Sequence, residues 1–169
     1  LAAMVKRNTS MPVTLQYVDQ ARWQADEQVR LDLLRIYYDA PEDRMPGQTV
    51  ESFIEQHLQQ HFFGCAHFND RLLGAVAIKQ AQDGAWWLSE MCVRKTTRRR
   101  GVGSRLMALL GEKAKQDGRV LRIATSSMPL ADRVLLSKLG YRPVASAAPA
   151  SQDAPVASDF VELDPQGKG

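Results

Sequence analysis

The junction Val93-Arg94-Lys95-Thr96-Thr97-Arg98-Arg99-Arg100-Gly101-Val102-Gly103 constrains this chain more than any other stretch. It joins an apolar, strand-like run over residues 86–93 to a helical run over residues 104–115. A helix N-terminus presents unpaired backbone N–H groups and the positive end of the aligned peptide dipoles. Glycine lets backbone approach a bound group closely, and arginine adds fixed positive charge. The segment therefore reads as a pyrophosphate cradle, and a phosphate-bearing cofactor is the first functional expectation. The competing reading of five positive charges at Arg94, Lys95, Arg98, Arg99 and Arg100 is a solvated basic loop or a nucleic-acid patch. The preceding strand and the Gly-x-Gly that opens a helix favour phosphate.

At 169 residues the chain fits one domain with a proper core. Its net charge of +3 is too mild to imply nucleic acid by itself. No apolar run approaches the roughly 20 residues of a membrane span, so neither a membrane nor a nucleic acid is an expected partner. Residues 1–10 do not read as a signal peptide, since no apolar core follows Lys6-Arg7, and are expected to be a disordered lead or cloning remnant. Cys65 and Cys92 both lie in apolar runs, which suggests buried free thiols in a reducing cytoplasm.

Alternating apolar positions over 13–17 predict a first strand, and mixed helical spacing over 20–38 predicts one helix ending before Pro41. A loop follows over 41–47, then a short helix over 50–60. Runs over 62–68 and 72–79, divided by Asn69-Asp70, predict a tight hairpin. A turn at Gln82-Asp83-Gly84 leads to a third strand over 85–93. A helix over 103–115, a strand over 120–125, a helix over 130–139 closed by Gly140 and a strand over 141–145 complete the pattern. Residues 147–155 read as an irregular connection, 156–163 as a last strand and 164–169 as a frayed tail. The order implies an α+β domain over 11–146, with one mixed sheet carrying helices on its faces.

This order, with Arg98-Arg99-Arg100-Gly101-Val102-Gly103 at this place in it, resembles the GCN5-related N-acetyltransferase (GNAT) superfamily. Its acyl-CoA signature is Q/R-x-x-G-x-G/A between the fourth strand and the third helix. Lys138-Leu139-Gly140-Tyr141 is similar to the K-L-G-F/Y segment that closes the fourth helix of that family. The resemblance implies the GNAT fold: a mixed, mostly antiparallel sheet of six to seven strands splayed at strands 4 and 5, with about four helices. It also implies acetyl-CoA as cofactor. A narrower resemblance, carried by Asn69-Asp70-Arg71-Leu72-Leu73-Gly74-Ala75-Val76, the segment from Val93 to Gly103 and Arg30-Leu31-Asp32-Leu33, is to the PanZ (PanM) family. Those acetyl-CoA sensors promote maturation of aspartate decarboxylase. The chain departs from them in its length, in extra residues over 41–60 and in Lys95, where that family is acidic.

By the superfamily pattern, backbone groups of Met91, Cys92 and Val93 would meet the pantetheine amides. Backbone N–H groups from Arg99 through Arg100, Gly101, Val102 and Gly103 to Ser104 would hold the pyrophosphate, with Thr97 and Arg98 in the bracing loop. Arg94, Lys95 or Arg100 would meet the 3′-phosphate, while Arg99 would point into solvent.

Direct acyl transfer needs a polarised carbonyl, a base for the amine and an acid for the thiolate. The amide of Val93 or Cys92 is the candidate for the first, and Glu90 is the candidate base as the only acid in the fourth strand. The family's acid tyrosine falls at Leu136; Tyr141, Ser126 and Ser127 are the substitutes, and His57, His61 and His67 read as packing or surface residues. Two function classes stay open. One is an N-acetyltransferase acting on an unknown small or protein amine. The other is a PanZ-like sensor that binds and regulates a partner of the aspartate decarboxylase type. A nucleic-acid-binding domain is a third class, without an aromatic platform to support it.

Overall fold

The computed structural model describes residues 12–41, 47–126, 128–144 and 159–165, and the structural statements below concern these. The expected lead over 1–10, most of the loop over 41–47 and the connection over 147–155 lie outside them, as do residues 156–158 and 166–169. The seven strands are β1 (Thr14–Val18), β2 (Phe62–Phe68), β3 (Arg71–Gln80), β4 (Trp86–Val93), β5 (Leu121–Ala124), β6 (Arg142–Pro143) and β7 (Phe160–Leu163). Five α-helices accompany them: α1 (Gln20–Ala25), α2 (Glu27–Tyr38), α3 (Val50–Leu58), α4 (Val102–Asp117) and α5 (Leu130–Lys138). The sheet order is β1-β2-β3-β4-β5-β7-β6. β4 and β5 run parallel, pairing Trp86 with Leu121 and Trp87 with Arg122, and β7 runs antiparallel to both β5 and β6.

The chain forms two compact units. The first runs to Lys79 and resumes over Glu90–Leu110; the second takes Gln80–Ser89 and continues from Gly111. In the first unit, β1, β2 and β3 form an antiparallel meander whose β2–β3 turn is made by Asn69 and Asp70 at φ 53° and 64°. Those left-handed values suit a tight hairpin turn, as the sequence predicts.

The single helix expected over 20–38 is two helices. Asp26 breaks it at φ −125°, ψ 105°, and its carboxylate accepts the Val29 amide at 3.2 Å as the N-cap of α2. Asp19 caps α1 in the same way through the Arg22 amide at 2.9 Å. A short acidic side chain that takes up an orphan amide favours starting a new helix over continuing the old one.

One face of the unit's strands carries Phe63, Cys65, Ala75, Ala77 and Cys92 against Val29, Leu33, Ile36, Tyr37, Ile54 and Leu58 of α2 and α3. The other face meets α4, and there the strands turn small. A Cβ at Gly74 would stand 3.3 Å from both Val102 Cγ1 and Val93 Cγ2, and one at Gly64 3.4 Å from Leu110 Cδ2. These glycines let the first two turns of α4 lie close on the sheet, which fixes the position of its N-terminus.

His57 is part of this core, 7% exposed, with its Nε2–H donating to the Phe62 carbonyl at 2.6 Å and its ring 4.6 Å from that of Phe63. Burial lowers its pKa to about 4 from the usual 6.5, and the neighbouring His61 and Lys79 push the same way. An unfolded chain takes up this proton below about 6.5, whereas the folded one resists it until about 4. Stability is therefore full above that window and falls as pH drops through it. Between pH 7.5 and pH 5 the loss from this group is about 2 kcal/mol. Thermal melting across that range should show a falling Tm, and His57→Gln should flatten the decline.

In the second unit, Trp86 is buried with the Arg119 guanidinium 4.2 Å from its ring centre, while half-buried Trp87 packs on Phe160 at 5.1 Å. Arg122 bridges Asp83 at 2.6 Å and Glu162 at 3.0 Å, tying the turn before β4 to β7. α5 ends at Gly140 with φ 102°, the left-handed stop that the sequence predicts.

Candidate functional site

The last turn of α2 and the end of β4 set the site's frame. Cys92 faces α2, where its thiol donates to the Ile36 carbonyl at 3.1 Å. Val93 and Met91 face α4: the Cβ position of Gly103 is 3.4 Å from Val93 Cγ2 and 3.5 Å from Met91 Cε. Glu90, just before them, is half-buried and left-handed at φ 50°. A non-glycine residue in that region inside a strand is strained by about 1–3 kcal/mol and persists only if its surroundings hold it. Tyr37 supplies such a hold, its hydroxyl donating to the Glu90 carbonyl at 2.7 Å.

Beyond β4 the chain makes a single 3-10 turn, Lys95–Thr97, before reaching α4. Thr97 is buried, and its amide and hydroxyl both donate to the Arg94 carbonyl, at 3.0 and 3.1 Å. Asp39, at the C-terminus of α2, organises the rest. Its carboxylate accepts Arg94 Nε at 3.0 Å and the Lys95 amide at 2.9 Å, and its carbonyl accepts Arg98 Nη2 at 2.6 Å. Arg98 also donates through Nε to the Val93 carbonyl at 3.3 Å, so its guanidinium is turned back onto the loop. Partial burial pushes the Asp39 carboxyl up, but the Lys95 amide and the Arg94 guanidinium outweigh it and hold the group below the ordinary range.

Arg99 and Gly101 are both left-handed, at φ 69° and 77°, with Arg100 between them. The first intrahelical bond of α4 is the Arg105 amide to the Gly101 carbonyl at 2.9 Å. The amides of Val102, Gly103 and Ser104 thus stand ahead of the helical ladder, as the first N–H groups of a helix do. Left-handed turns that lead into a helix start make backbone concavities suited to anions. Nothing lies within 4 Å of where a Gly101 Cβ would stand. The two glycines have different reasons: Gly101 needs its positive φ, and Gly103 sits against the side chains of β4. Lys95, Arg99, Arg100, Ser104 and Arg105 are exposed around this opening, whereas Val102 is buried and anchors the helix. The residues present fit a pyrophosphate, since amides, helix dipole and exposed cations converge on one stretch of backbone.

Leu136, where the superfamily's acid tyrosine falls, is 6% exposed in the second unit. Tyr141 is 1% exposed, its hydroxyl has no hydrogen-bond partner among the described residues, and burial pushes its ionisation well above the usual value. Ser126 is exposed, and Ser127 lies outside the described residues. Burial pushes the Cys65 thiol up to about 12, so it is no nucleophile at neutral pH. Among the described residues no group of three or more His, Cys, Asp or Glu is arranged to hold a metal, and no helix is long and apolar enough to cross a membrane.

Sequence reasoning missed Asp39 and Tyr37. Both lie more than fifty residues from the groups they hold, and no local pattern marks a contact of that span.

Comparison with known proteins gives a consistent picture. The family model described as "Acetyltransferase (GNAT) domain, PanZ" matches residues 15–136. No individually curated protein matches the sequence. Among solved structures, the chain is similar to aminoglycoside 6′-acetyltransferase type Ii, at 16% identity and TM-score 0.63, over 90% of this chain and 97% of that one. It is similar to the ribosomal-protein-S18-alanine N-acetyltransferase of Escherichia coli, at 14% identity and TM-score 0.57, over 90% and 93%. It is also similar to a Bacillus subtilis acetyltransferase in complex with CoA, at 18% identity and TM-score 0.55, over 90% and 98%. At these identities the likeness establishes the fold. The seven-stranded mixed sheet with parallel β4 and β5, the Arg98–Gly103 motif and a family match over most of the described chain agree: the protein belongs to the PanZ family of GNAT acetyltransferase domains.

Proposed function

We propose that the chain binds acetyl-CoA at the start of α4 and transfers its acetyl group to an amine. The observation that carries this reading is the backbone from Arg99 to Ser104, with its left-handed residues at φ 69° and 77° and its amides ahead of the helical ladder. Those amides would hold the pyrophosphate, the backbone of Met91, Cys92 and Val93 would take the pantetheine arm, and exposed Lys95 or Arg100 would meet the 3′-phosphate. Thr97 and Arg98 act indirectly, by holding the loop that presents the amides. When bound, the cofactor supplies a thioester carbonyl open to attack by an amine. The Val93 or Cys92 amide would polarise that carbonyl, and the Glu90 carboxylate would take the proton the amine gives up as the C–N bond forms and the thioester C–S bond breaks, the thiolate leaving to take its proton from solvent. The left-handed backbone and the Tyr37 clamp support a fixed position for Glu90.

A second reading is favoured by Leu136. An aliphatic, buried side chain there offers no proton to a leaving thiolate, and buried Tyr141 holds on to its own. A chain that binds acetyl-CoA without handing the acetyl group on would be a sensor of the PanZ kind, regulating a partner such as aspartate decarboxylase.

Thiol release from acetyl-CoA across a broad amine panel separates the two. Turnover by the wild type that falls at least tenfold in Glu90→Gln is the result expected of the transferase. Saturable binding without turnover on any amine would instead point to the sensor, and a pull-down of aspartate decarboxylase would follow.

A further inference from the structure

The loop that presents the amides from Arg99 to Ser104 has weak support of its own. Its backbone is closed by bonds of one-turn span: the Thr97 amide to the Arg94 carbonyl at 3.0 Å, Arg98 to Lys95 at 3.3 Å and Arg100 to Thr97 at 3.2 Å. Such 3-10 contacts have poorer geometry than those of an α-helix and rarely propagate. Arg99 adds a left-handed backbone at φ 69°, which is unfavourable for a residue with a Cβ. Arg94, Lys95, Arg98, Arg99 and Arg100 repel one another as neighbouring cations. Local terms therefore favour an open loop.

The last turn of α2 opposes them. The Asp39 carboxylate accepts the Lys95 amide at 2.9 Å and Arg94 Nε at 3.0 Å, and its carbonyl accepts Arg98 Nη2 at 2.6 Å. One residue thus fixes the loop at 94, 95 and 98. The Asp39 amide donates to the Arg35 and Ile36 carbonyls at 3.3 Å, so the hold is anchored on the helix, whose negative dipole end also favours the cations. The same turn grips β4, through the Ile36 carbonyl on the Cys92 thiol and the Tyr37 hydroxyl on the Glu90 carbonyl. Overall stability does not account for Asp39. The side chains of Arg94 and Asp39 are 24% and 21% exposed, and an ion pair open to water adds little to a fold.

We propose that Asp39 is the positioning residue of the cofactor loop, setting the amides of the cradle before acetyl-CoA arrives. This role rests on acetyl-CoA binding at the start of α4, and it is exerted through the loop, not on the cofactor. A loop ordered in advance spares the ligand the cost of ordering it. The sign of the effect separates positioning from simple electrostatics. Acetyl-CoA carries several negative charges, so removing a nearby carboxylate tightens binding if charge alone counts. If Asp39 positions the loop, the same change weakens binding.

Asp39→Ala, Asp39→Asn and a control, Asp83→Ala, are compared in the full chain. The Asp83 carboxylate also holds an arginine, Arg122 at 2.6 Å, and a backbone amide, that of Ala85 at 3.1 Å, but in the second unit. Titration calorimetry with acetyl-CoA should show at least tenfold lower affinity in Asp39→Ala and wild-type affinity in Asp83→Ala. Asp39→Asn keeps an oxygen for the Lys95 amide and should lose less. Without ligand, amide hydrogen exchange at Lys95, Thr97, Arg98 and Arg100 should quicken at least tenfold in Asp39→Ala and stay unchanged in Asp83→Ala. The proposal is overturned by equal or tighter binding in Asp39→Ala, by a loss that Asp83→Ala shares or Asp39→Asn does not ease, or by wild-type exchange in the Asp39→Ala loop. Absence of binding by the wild type is a distinct result, which removes the cradle itself and this role with it.

Discussion

Replacing Gly101 by valine abolishes the rise in Tm that acetyl-CoA gives the wild type. The glycine has φ 77°, which a β-branched residue adopts only at a cost of about 1–2 kcal/mol, so the chain relieves the strain by re-routing the loop. Re-routing moves the amides of Val102, Gly103 and Ser104 that would face the pyrophosphate. Losing two or more charge-assisted bonds weakens acetyl-CoA by about 100-fold, close to 3 kcal/mol. Gly118 is the matched control. It is also left-handed, at φ 66°, and also has nothing within 4 Å of its Cβ position, but it follows the far end of α4. Gly118→Val should lose comparable stability and keep the ligand-induced shift. Equal retention of that shift by both variants would show that Gly101 is not part of the cofactor site.

Asp32→Ala destabilises the fold by about 3 kcal/mol, read as a lower urea midpoint with an unchanged m-value. Asp32 is 1% exposed on α2, and its carboxylate accepts Arg71 Nη2 at 2.7 Å, Arg71 Nε at 2.9 Å, the Leu72 amide at 3.0 Å and Gln28 Nε2 at 2.9 Å. The Arg71 side chain is 42% exposed, so water screens its share of the attraction. Most of the loss comes from the orphaned Leu72 amide and the void beneath it. Asp32→Asn keeps an acceptor for Leu72 and loses less. Burial raises the Asp32 carboxyl, but Arg71, the Leu72 amide and Gln28 together bring it below its ordinary 3.8. Its contribution is thus complete above about pH 4 and disappears as pH falls through the depressed folded value. Asp32→Asn should remove that part of the acid sensitivity and leave the His57 part, which acts at higher pH.

What the sequence makes legible is local. Asn69-Asp70 and Gly140 announce left-handed backbone, and each takes it. The motif from Arg98 to Gly103 identifies the strand-to-helix junction because glycine, arginine and a helix start occur together within six residues. Asp26 was equally local, but the apolar positions on either side suggested one continuous helix and masked its capping role. The rest was not legible, for a physical reason. Asp39 to Lys95 and Tyr37 to Glu90 are contacts between distant segments, and only the closed tertiary fold brings them together. The same holds for β7, which lies between β5 and β6 although it follows both in the chain. Its charge marks Glu90 in the sequence, but nothing local marks its left-handed backbone, because glutamate carries no preference for that region.

The most direct measurement is a backbone amide spectrum of the labelled chain, recorded as acetyl-CoA is added. The largest shifts should fall on Val102, Gly103 and Ser104, with smaller ones on Met91, Cys92 and Val93, all saturating with a single affinity. Saturable binding whose shifts lie elsewhere, or no shift at these amides with excess cofactor, would contradict the cradle at the start of α4.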